Sequence, residues 1–402
     1  MEVESDICRF AVLVSLTSGI IEHKMRVRNL YNCLENQQTD IDSVAEEQKE
    51  KPKSRQGLFV LIGGGIAFVV AVFIYVSILI KKRQTLDLPI KKAERKLELP
   101  EDSGYLKVPV EDIYSATNNL NESNCIGEGT AGRVYKGILF DNQHVAVKHI
   151  IKDGCMETFL REVRSLTHVR HPNLVALLGY GKNDEECFLI YELCPNGNLA
   201  QWLFGMDTAL SWIKRLEIAI NSAQGLRFLH TYPEGSIIHR DIKPTNILLG
   251  KNLEAKLSDF GLSKVIDQGK SYASSEVRGT FGYVDPEYQC NRRVNSAGDI
   301  YSFGIVLLQI LSGRKVINMN MATPVPLNKI AKSISTREGS TFGFVDPRLH
   351  GEYSVEAFEA TFDLALACTA PTHQRPCIKQ VVTKLEEALA ISMKAKASSP
   401  QF

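Results

Sequence analysis

Apolar positions fall into two regimes along the chain. Leu58 to Ile80 reads LFVLIGGGIAFVVAVFIYVSILI, 23 consecutive residues without a charge. As a helix it reaches about 34 Å, enough to cross a hydrocarbon core of roughly 30 Å. Gly63, Gly64 and Gly65 would weaken a soluble helix but are tolerated in a membrane span. Few soluble cores need so long an uncharged run, so the pattern predicts one transmembrane helix over 58–80. From about residue 120 to 390 apolar residues instead recur densely, over a stretch long enough for a two-lobed globular domain. Two β-rich runs, Arg133 to Leu139 and His144 to Ile150, flank a turn at Asp141-Asn142 and predict a hairpin. Met156 to Thr167 and Ile218 to Leu229 read as helices, and Ile247 to Leu249 as a short strand.

The flanks carry less information. Residues 1–57 form a short segment before the span; Phe10 to Ile21 is apolar enough for a signal-peptide core, but Glu2, Glu4 and Asp6 precede it where a basic run is expected. Residues 34–57 are too polar to predict packed structure, and Cys8 and Cys33 can pair outside the cell without making a framework. After the span come Lys81, Lys82, Arg83, Lys91, Lys92 and Arg95, against Lys49, Lys51, Lys53 and Arg55 before it, a weak bias toward a cytosolic C-terminal side. Residues 81–119 read as a juxtamembrane linker whose lysines can touch anionic lipid, and 391–402 as a C-terminal tail.

Composition excludes several classes. Of 402 residues, 44% are hydrophobic and 23% charged, with 28 Gly and 15 Pro, which fits neither a collagen-like nor a wholly disordered chain. Lys and Arg (47) nearly cancel Asp and Glu (46), so no nucleic acid partner is expected. Seven of nine cysteines scatter after residue 120 without a C-x-x-C pair, which argues against a zinc site and suits a reducing compartment.

Gly127-Glu128-Gly129-Thr130-Ala131-Gly132 matches G-x-G-x-x-G, a weak signal alone. A dinucleotide fingerprint needs a helix straight after the glycines, and here a β-run starting at Arg133 follows instead. The glycines therefore cap a β-ribbon whose backbone amides can fold over nucleotide phosphates. On the second strand Ala146 and Lys148 share a face, leaving room for an adenine ring beside an ammonium that can reach phosphate oxygens. A buried lysine needs a carboxylate, and Glu162, among Phe159, Val163 and Leu166, is the candidate.

Three further polar positions follow an apolar helix. His239-Arg-Asp-Ile-Lys-Pro-Thr-Asn246 precedes the strand at Ile247, and Asp259-Phe-Gly261 follows another short strand. Phosphoryl transfer needs metal to neutralise phosphate oxygens and a carboxylate to orient the incoming hydroxyl. Asn246 and Asp259 offer oxygen ligands suited to Mg²⁺, Asp241 can accept the hydroxyl proton, and Lys243 can sit against the γ-phosphate. Each motif alone has a bland alternative; their common order and context do not.

With these motifs, residues 120–390 resemble the eukaryotic protein kinase family, in particular plant receptor-like Ser/Thr kinases of the Pelle-like branch. HPNLVALLGY (171–180), LIYELCPNGNL (189–199), GTFGYVDPEY (279–288), GDIYSFGIVLL (298–308) and HQRP (373–376) look like that branch. The resemblance implies an α+β bilobal protein kinase fold, a β-rich N-lobe and a helical C-lobe, with ATP and Mg²⁺ in the cleft. It implies Lys148, Glu162, Asp241 and Lys243 as catalytic residues and Asn246 and Asp259 as metal ligands. It places ATP against Ile126, the loop Gly127 to Gly132, Arg133, Val134, Ala146 and Leu248, with Tyr191 behind and Glu192 to Cys194 as the hinge. It pairs Glu287 with Arg375, braces the catalytic loop with Asp299, and stacks Leu166, Leu177, His239 and Phe260 as an apolar spine. Arg240 is expected to meet phosphate on Ser271, Tyr272, Ser274, Ser275 or Thr280, and Lys243 with Thr280 favours Ser/Thr acceptors. Departures are Thr130-Ala131 at the loop tip where an aromatic is common, Gly298 before Asp299, and Gln309 for a common Glu. The expectation is a single-pass plasma-membrane Ser/Thr kinase with a cytosolic catalytic domain, acting on protein substrates and autophosphorylating its activation segment. The alternatives are a catalytically weak ATP-binding scaffold and a co-receptor kinase working with a larger receptor partner.

Overall fold

The computed structural model describes residues 106–398 apart from 130–131, 152–154, 167–168, 184–185, 206–207, 318–323 and 337–340. The chain divides into units Met1–Leu99 and Pro100–Phe402, and the description concerns the second. The expected N-terminal segment, the 58–80 span and most of the linker lie outside the described residues. Among the described residues no helix is long and apolar enough to cross a membrane.

Period-two alternation builds the first lobe. Its elements are β1 (Leu106–Lys107), α1 (Val110–Ala116), β2 (Cys125–Gly129), β3 (Gly132–Leu139), β4 (Gln143–Ile150), α2 (Cys155–Leu166), β5 (Leu177–Lys182) and β6 (Cys187–Glu192). The strands form one sheet in the order β1-β5-β6-β4-β3-β2, antiparallel except where β1 pairs parallel with β5. On β4, Val145 and Val147 turn to one face and pack with Phe188, Ile190 and Val108 under Ile113 of α1. Ala146 and Lys148 take the opposite face, as alternation requires. Gly181 lets α1 lie this close, since a Cβ there would stand 2.3 Å from Ile113 Cδ1.

The 106–116 stretch, assigned by sequence to the linker, is thus a strand and a helix of the lobe, which begins upstream of 120. A two-residue strand and a seven-residue helix are too short to stand out in the sequence, and tertiary pairing forms them. The hairpin appears as expected, its turn a 3₁₀ segment at Phe140–Asn142.

The second lobe contains α3 (Leu199–Phe204), α4 (Trp212–His230), β7 (Ser236–Ile238), β8 (Ile247–Leu249), β9 (Ala255–Leu257), β10 (Lys264–Ile266), β11 (Ala273–Ser274), α5 (Pro286–Asn291), β12 (Arg293–Val294), α6 (Ser296–Ser312), α7 (Leu327–Ser335), α8 (Val355–Cys368) and α9 (Ile378–Ser398). Every residue of α6 from Asp299 to Ser312 is buried, so it is the central post of the lobe. Asn295 caps its start through the Gly298 N–H, and Gly313 ends it in the left-handed region. The expected tail from 391 is helical through Ser398, continuous with α9.

One buried cation fastens these helices. Arg215 on α4 donates to the carbonyls of Leu210 (3.0 Å) and Ile310 (2.7 Å) and to Asp346 Oδ2 (2.7 Å). Burial would raise the Asp346 pKa, but Arg348 and Arg215 outweigh it and hold it at about 2. A depressed folded pKa gives stability present above the unfolded value of about 3.9 and lost as pH falls toward the folded one. Asp346→Asn is therefore expected to cost about 3 kcal/mol near pH 7. In chemical denaturation its deficit relative to wild type should narrow as pH drops below about 4.

Candidate active site

The glycine loop is a strand-turn-strand. β2 and β3 pair at Gly127↔Val134, Glu128↔Arg133 and Gly129↔Gly132, and no helix follows. Gly132 has φ +141°, and a Cβ there would lie 1.9 Å from the His149 carbonyl oxygen, so only glycine fits. Thr130 and Ala131 lie outside the described residues. Arg133 pairs with the exposed carboxylates of Glu122 (3.1 Å) and Glu128 (3.6 Å). Ile126 is 48% exposed at the cleft edge. Ala146 stands opposite Tyr191 in the β4–β6 ladder.

Lys148 is buried, and its Nζ reaches Glu162 Oε2 at 2.9 Å and Asp259 Oδ1 at 2.7 Å. Burial alone would lower its pKa; the two carboxylates outweigh that and hold it above the ordinary lysine value. Asp259 shows the complement: burial would raise it, and Lys148 holds it below the usual carboxylate range. Tyr191 donates its hydroxyl to Glu162 Oε1, so both oxygens of that fully buried carboxylate are engaged. Sequence reasoning placed Tyr191 behind the pocket but not on Glu162, because a phenol at the end of a strand gives no hint of its partner.

Asp241 and Asn246 are brought together on the loop before β8. Asp241 Oδ1 accepts the Thr280 hydroxyl at 2.6 Å, and Oδ2 takes Asn246 Nδ2 at 3.0 Å and Lys243 Nζ at 2.8 Å. Lys243 also donates to Thr280 Oγ1 at 2.7 Å. The loop hangs on Asp299, as expected: its carboxylate accepts the backbone N–H groups of His239 and Arg240, each at 2.8 Å. His230 Nε2, 2.9 Å from the same carboxylate, was not anticipated. Burial would raise the Asp299 pKa, and the His230 and His239 contacts outweigh it and hold it low. His239 Nε2 faces the Ser258 carbonyl at 3.0 Å while Nδ1 accepts the Asp241 N–H, which selects the Nε2–H tautomer. Its ring lies 5.0 Å from that of Phe260, and Leu166 and Leu177 of the expected spine are buried.

The segment beyond Asp259 converges on Arg240. This residue holds φ +67° and donates to the carbonyl of Leu262 and to Ser275 Oγ (3.0 Å). Burial keeps its guanidinium below its ordinary range, and Arg278 and Arg161 push the same way. Arg240, Arg278 and Arg293 line one recess with Asp285, Asp299, Tyr288 and Val294. Arg375 keeps the expected ion pair with Glu287 and adds a shorter one to Asp285. Its guanidinium is bidentate to Asp285 (2.6 and 2.9 Å), whereas Glu287 stands at 3.6 Å and accepts the Thr372 N–H at 2.7 Å. Asp285 caps α5 and is buried, so it takes the shorter, bidentate contact with the buried cation, and the half-exposed glutamate the longer one. Gln309, the departure from a common Glu, accepts the Tyr283 hydroxyl at 2.9 Å.

Among the described residues no group of three or more His, Cys, Asp or Glu gathers as a metal site. The oxygens of Asp259 and Asn246 fit a hard cation that fills its shell with phosphate and water, as Mg²⁺ does. Burial, then the Glu192 carboxylate, pushes the Cys194 thiol up to about 12.

The protein kinase domain pattern matches residues 120–383. A nodulation receptor kinase of Pisum sativum is 42% identical over 278 residues, 67% of this chain and 30% of that protein. Two Arabidopsis thaliana proteins are similar: a probable receptor-like protein kinase at 39% over 283 residues, 68% of this chain and 58% of that protein, and a probable LRR receptor-like serine/threonine-protein kinase at 38% over 286 residues, 70% and 32%. The chain thus spans less than two thirds of the length of each of these relatives. The matched stretch takes in both lobes from the glycine loop to α9, carries every group described in the cleft, and places this chain in the protein kinase family.

Proposed function

We propose that this chain is a receptor-like serine/threonine protein kinase, transferring the γ-phosphate of Mg·ATP to Ser or Thr hydroxyls of proteins. The observation that carries the reading is the Thr280 hydroxyl seated on Asp241 and Lys243. A carboxylate that already accepts an alcohol proton at 2.6 Å, with an ammonium at 2.7 Å from the same oxygen, can orient an incoming Ser or Thr. Lys148, fixed by Glu162, holds phosphate oxygens; Ile126, Val134, Ala146 and Leu248 enclose the adenine; the Glu192 to Cys194 backbone forms the hinge. Mg²⁺ bound by Asp259 and Asn246 supplies neutralisation of phosphate charge. The intact set of ionic groups favours turnover over a silent scaffold. The uncharged run at 58–80 supports a single-pass anchor with the catalytic domain in the cytosol, and the names of the relatives support receptor signalling, alone or beside a larger receptor.

Regulation follows from the recess around Arg240. Ser275 is the acceptor already placed on that guanidinium, whereas Thr280 is engaged by Asp241. A phosphate on Ser275 adds charge against the Arg240 guanidinium and tightens the segment.

Full-length protein in detergent is expected to incorporate phosphate from Mg·ATP, and Asp241→Asn to lower the rate by about 10³-fold. Equal, negligible incorporation in both, despite ATP binding, would replace the enzyme with the scaffold. Phosphopeptide mapping should find Ser275, and Ser275→Ala should slow substrate phosphorylation about tenfold; an active enzyme unmodified at Ser275 removes that role. Expressed in plant cells, the chain should sediment with membranes and withstand carbonate washing, and deletion of 58–80 should release it.

A further inference from the structure

Glu192 does more than begin the hinge. Its backbone N–H donates to the Ala176 carbonyl at 3.0 Å, and its Oε1 accepts the Ala176 N–H at 2.8 Å, so this side chain is locked to the strand entry before β5. The same oxygen accepts Lys256 Nζ at 3.0 Å, and Lys256 belongs to β9 in the other lobe. The lysine side chain is only 14% exposed and the glutamate 30%, which removes most of the solvent screening that makes surface pairs weak.

What β9 carries makes this contact consequential. Lys256 lies opposite Leu248 in the β8–β9 ladder. The next residue, Leu257, donates to the Asn173 carbonyl and accepts from the Val175 N–H, each at 2.9 Å. Ser258 then donates its N–H to the Asn246 carbonyl at 2.9 Å, and Asp259 follows. One short strand therefore runs from the hinge carboxylate to the two residues that would hold the metal.

We propose that Lys256 is a positioning residue for nucleotide: it fastens the Glu192 hinge to the strand that ends at Asp259, setting the span between the base end and the phosphate end of the site. This rests on the reading of the cleft as an ATP site. The side chain itself touches neither the base nor the phosphates. Its effect is on ligands that fill both ends at once, because only they require the span to be right. A ligand that fills the base end alone is indifferent to it.

Full-length protein and its Lys256→Met, Lys256→Arg, Glu192→Gln and double Lys256→Met/Glu192→Gln variants would be compared for binding of a non-hydrolysable Mg·ATP analogue and of adenosine, and for steady-state kinetics. Lys256→Met is expected to weaken the analogue about fivefold while adenosine changes less than about twofold. The KM for ATP should rise by a similar factor with kcat nearly unchanged, Lys256→Arg should restore most of the loss, and the double variant should bind no worse than either single one. Equal losses for adenosine and the analogue, a fall in kcat at constant KM, or additive losses would overturn the assignment. The arginine and glutamine variants keep the test decisive if the methionine variant fails to fold. The binding measurements need no turnover: a wild type that binds the analogue without transferring phosphate refutes the enzyme reading while the clamp is still judged, and one that binds no nucleotide refutes both.

Discussion

A buried ammonium cannot stand alone, and Lys148 makes that constraint the organising fact of the cleft. Desolvation opposes its charge, and only two carboxylates within hydrogen-bond distance reverse the balance. Those carboxylates come from α2 and from the turn after β9, so one cation on β4 fixes three elements from both lobes. The Tyr191 hydroxyl occupies the remaining oxygen of Glu162, which leaves that side chain no other rotamer without a buried oxygen losing its partner. An ammonium has three donors, and Glu162 and Asp259 use two, so one remains to meet a phosphate oxygen without releasing either carboxylate.

Asp299 plays the corresponding part for the loop that bears Asp241. Its carboxylate is wholly buried and sits on the first turn of α6, the helix buried from Asp299 to Ser312. By taking the N–H groups of His239 and Arg240 it offsets the strain of a non-glycine residue at φ +67°. Asp241 is then aimed by its neighbours' geometry, and Asn246, Lys243 and Thr280 each hold one of its oxygens.

The parts of this arrangement that were legible in the sequence are those whose logic is local. Alternation put Ala146 and Lys148 on one face, the absence of a helix after Gly132 excluded a dinucleotide fold, and the spacing of Asp241, Asn246 and Asp259 gave the polar set. The resemblance then supplied the bilobal fold and the role of Asp299. Partner choice was not legible. Glu287 and Asp285 lie two residues apart and both pair with Arg375; which one takes the closer contact depends on the cap that turns Asp285 inward. Lys256 sits between two buried residues of a three-residue strand, a pattern that predicts a solvated lysine as readily as a cross-lobe ion pair. The 106–116 stretch was missed for a similar reason: its order comes from β5 and from the glycine at 181, far away in sequence.

Beside the backbone bonds that Leu257 makes with Asn173 and Val175, three contacts that cross between the lobes have a common character. Lys148 to Asp259, Lys256 to Glu192, and Arg161 to the Gly261 carbonyl at 2.9 Å are all hydrogen-bonded and charged. The apolar spine through Leu166, Leu177, His239 and Phe260 is buried too, but apolar contact is non-directional and tolerates sliding. A charged hydrogen bond is lost within about an ångström of displacement or a few tens of degrees of rotation. The spine therefore keeps the lobes together, and the ionic ties choose one orientation among those the spine would accept. Two of the three ties end at Asp259 and at Gly261 two residues on, and the third ends on the strand that leads into them, so the orientation they select is carried into the position of Asp259.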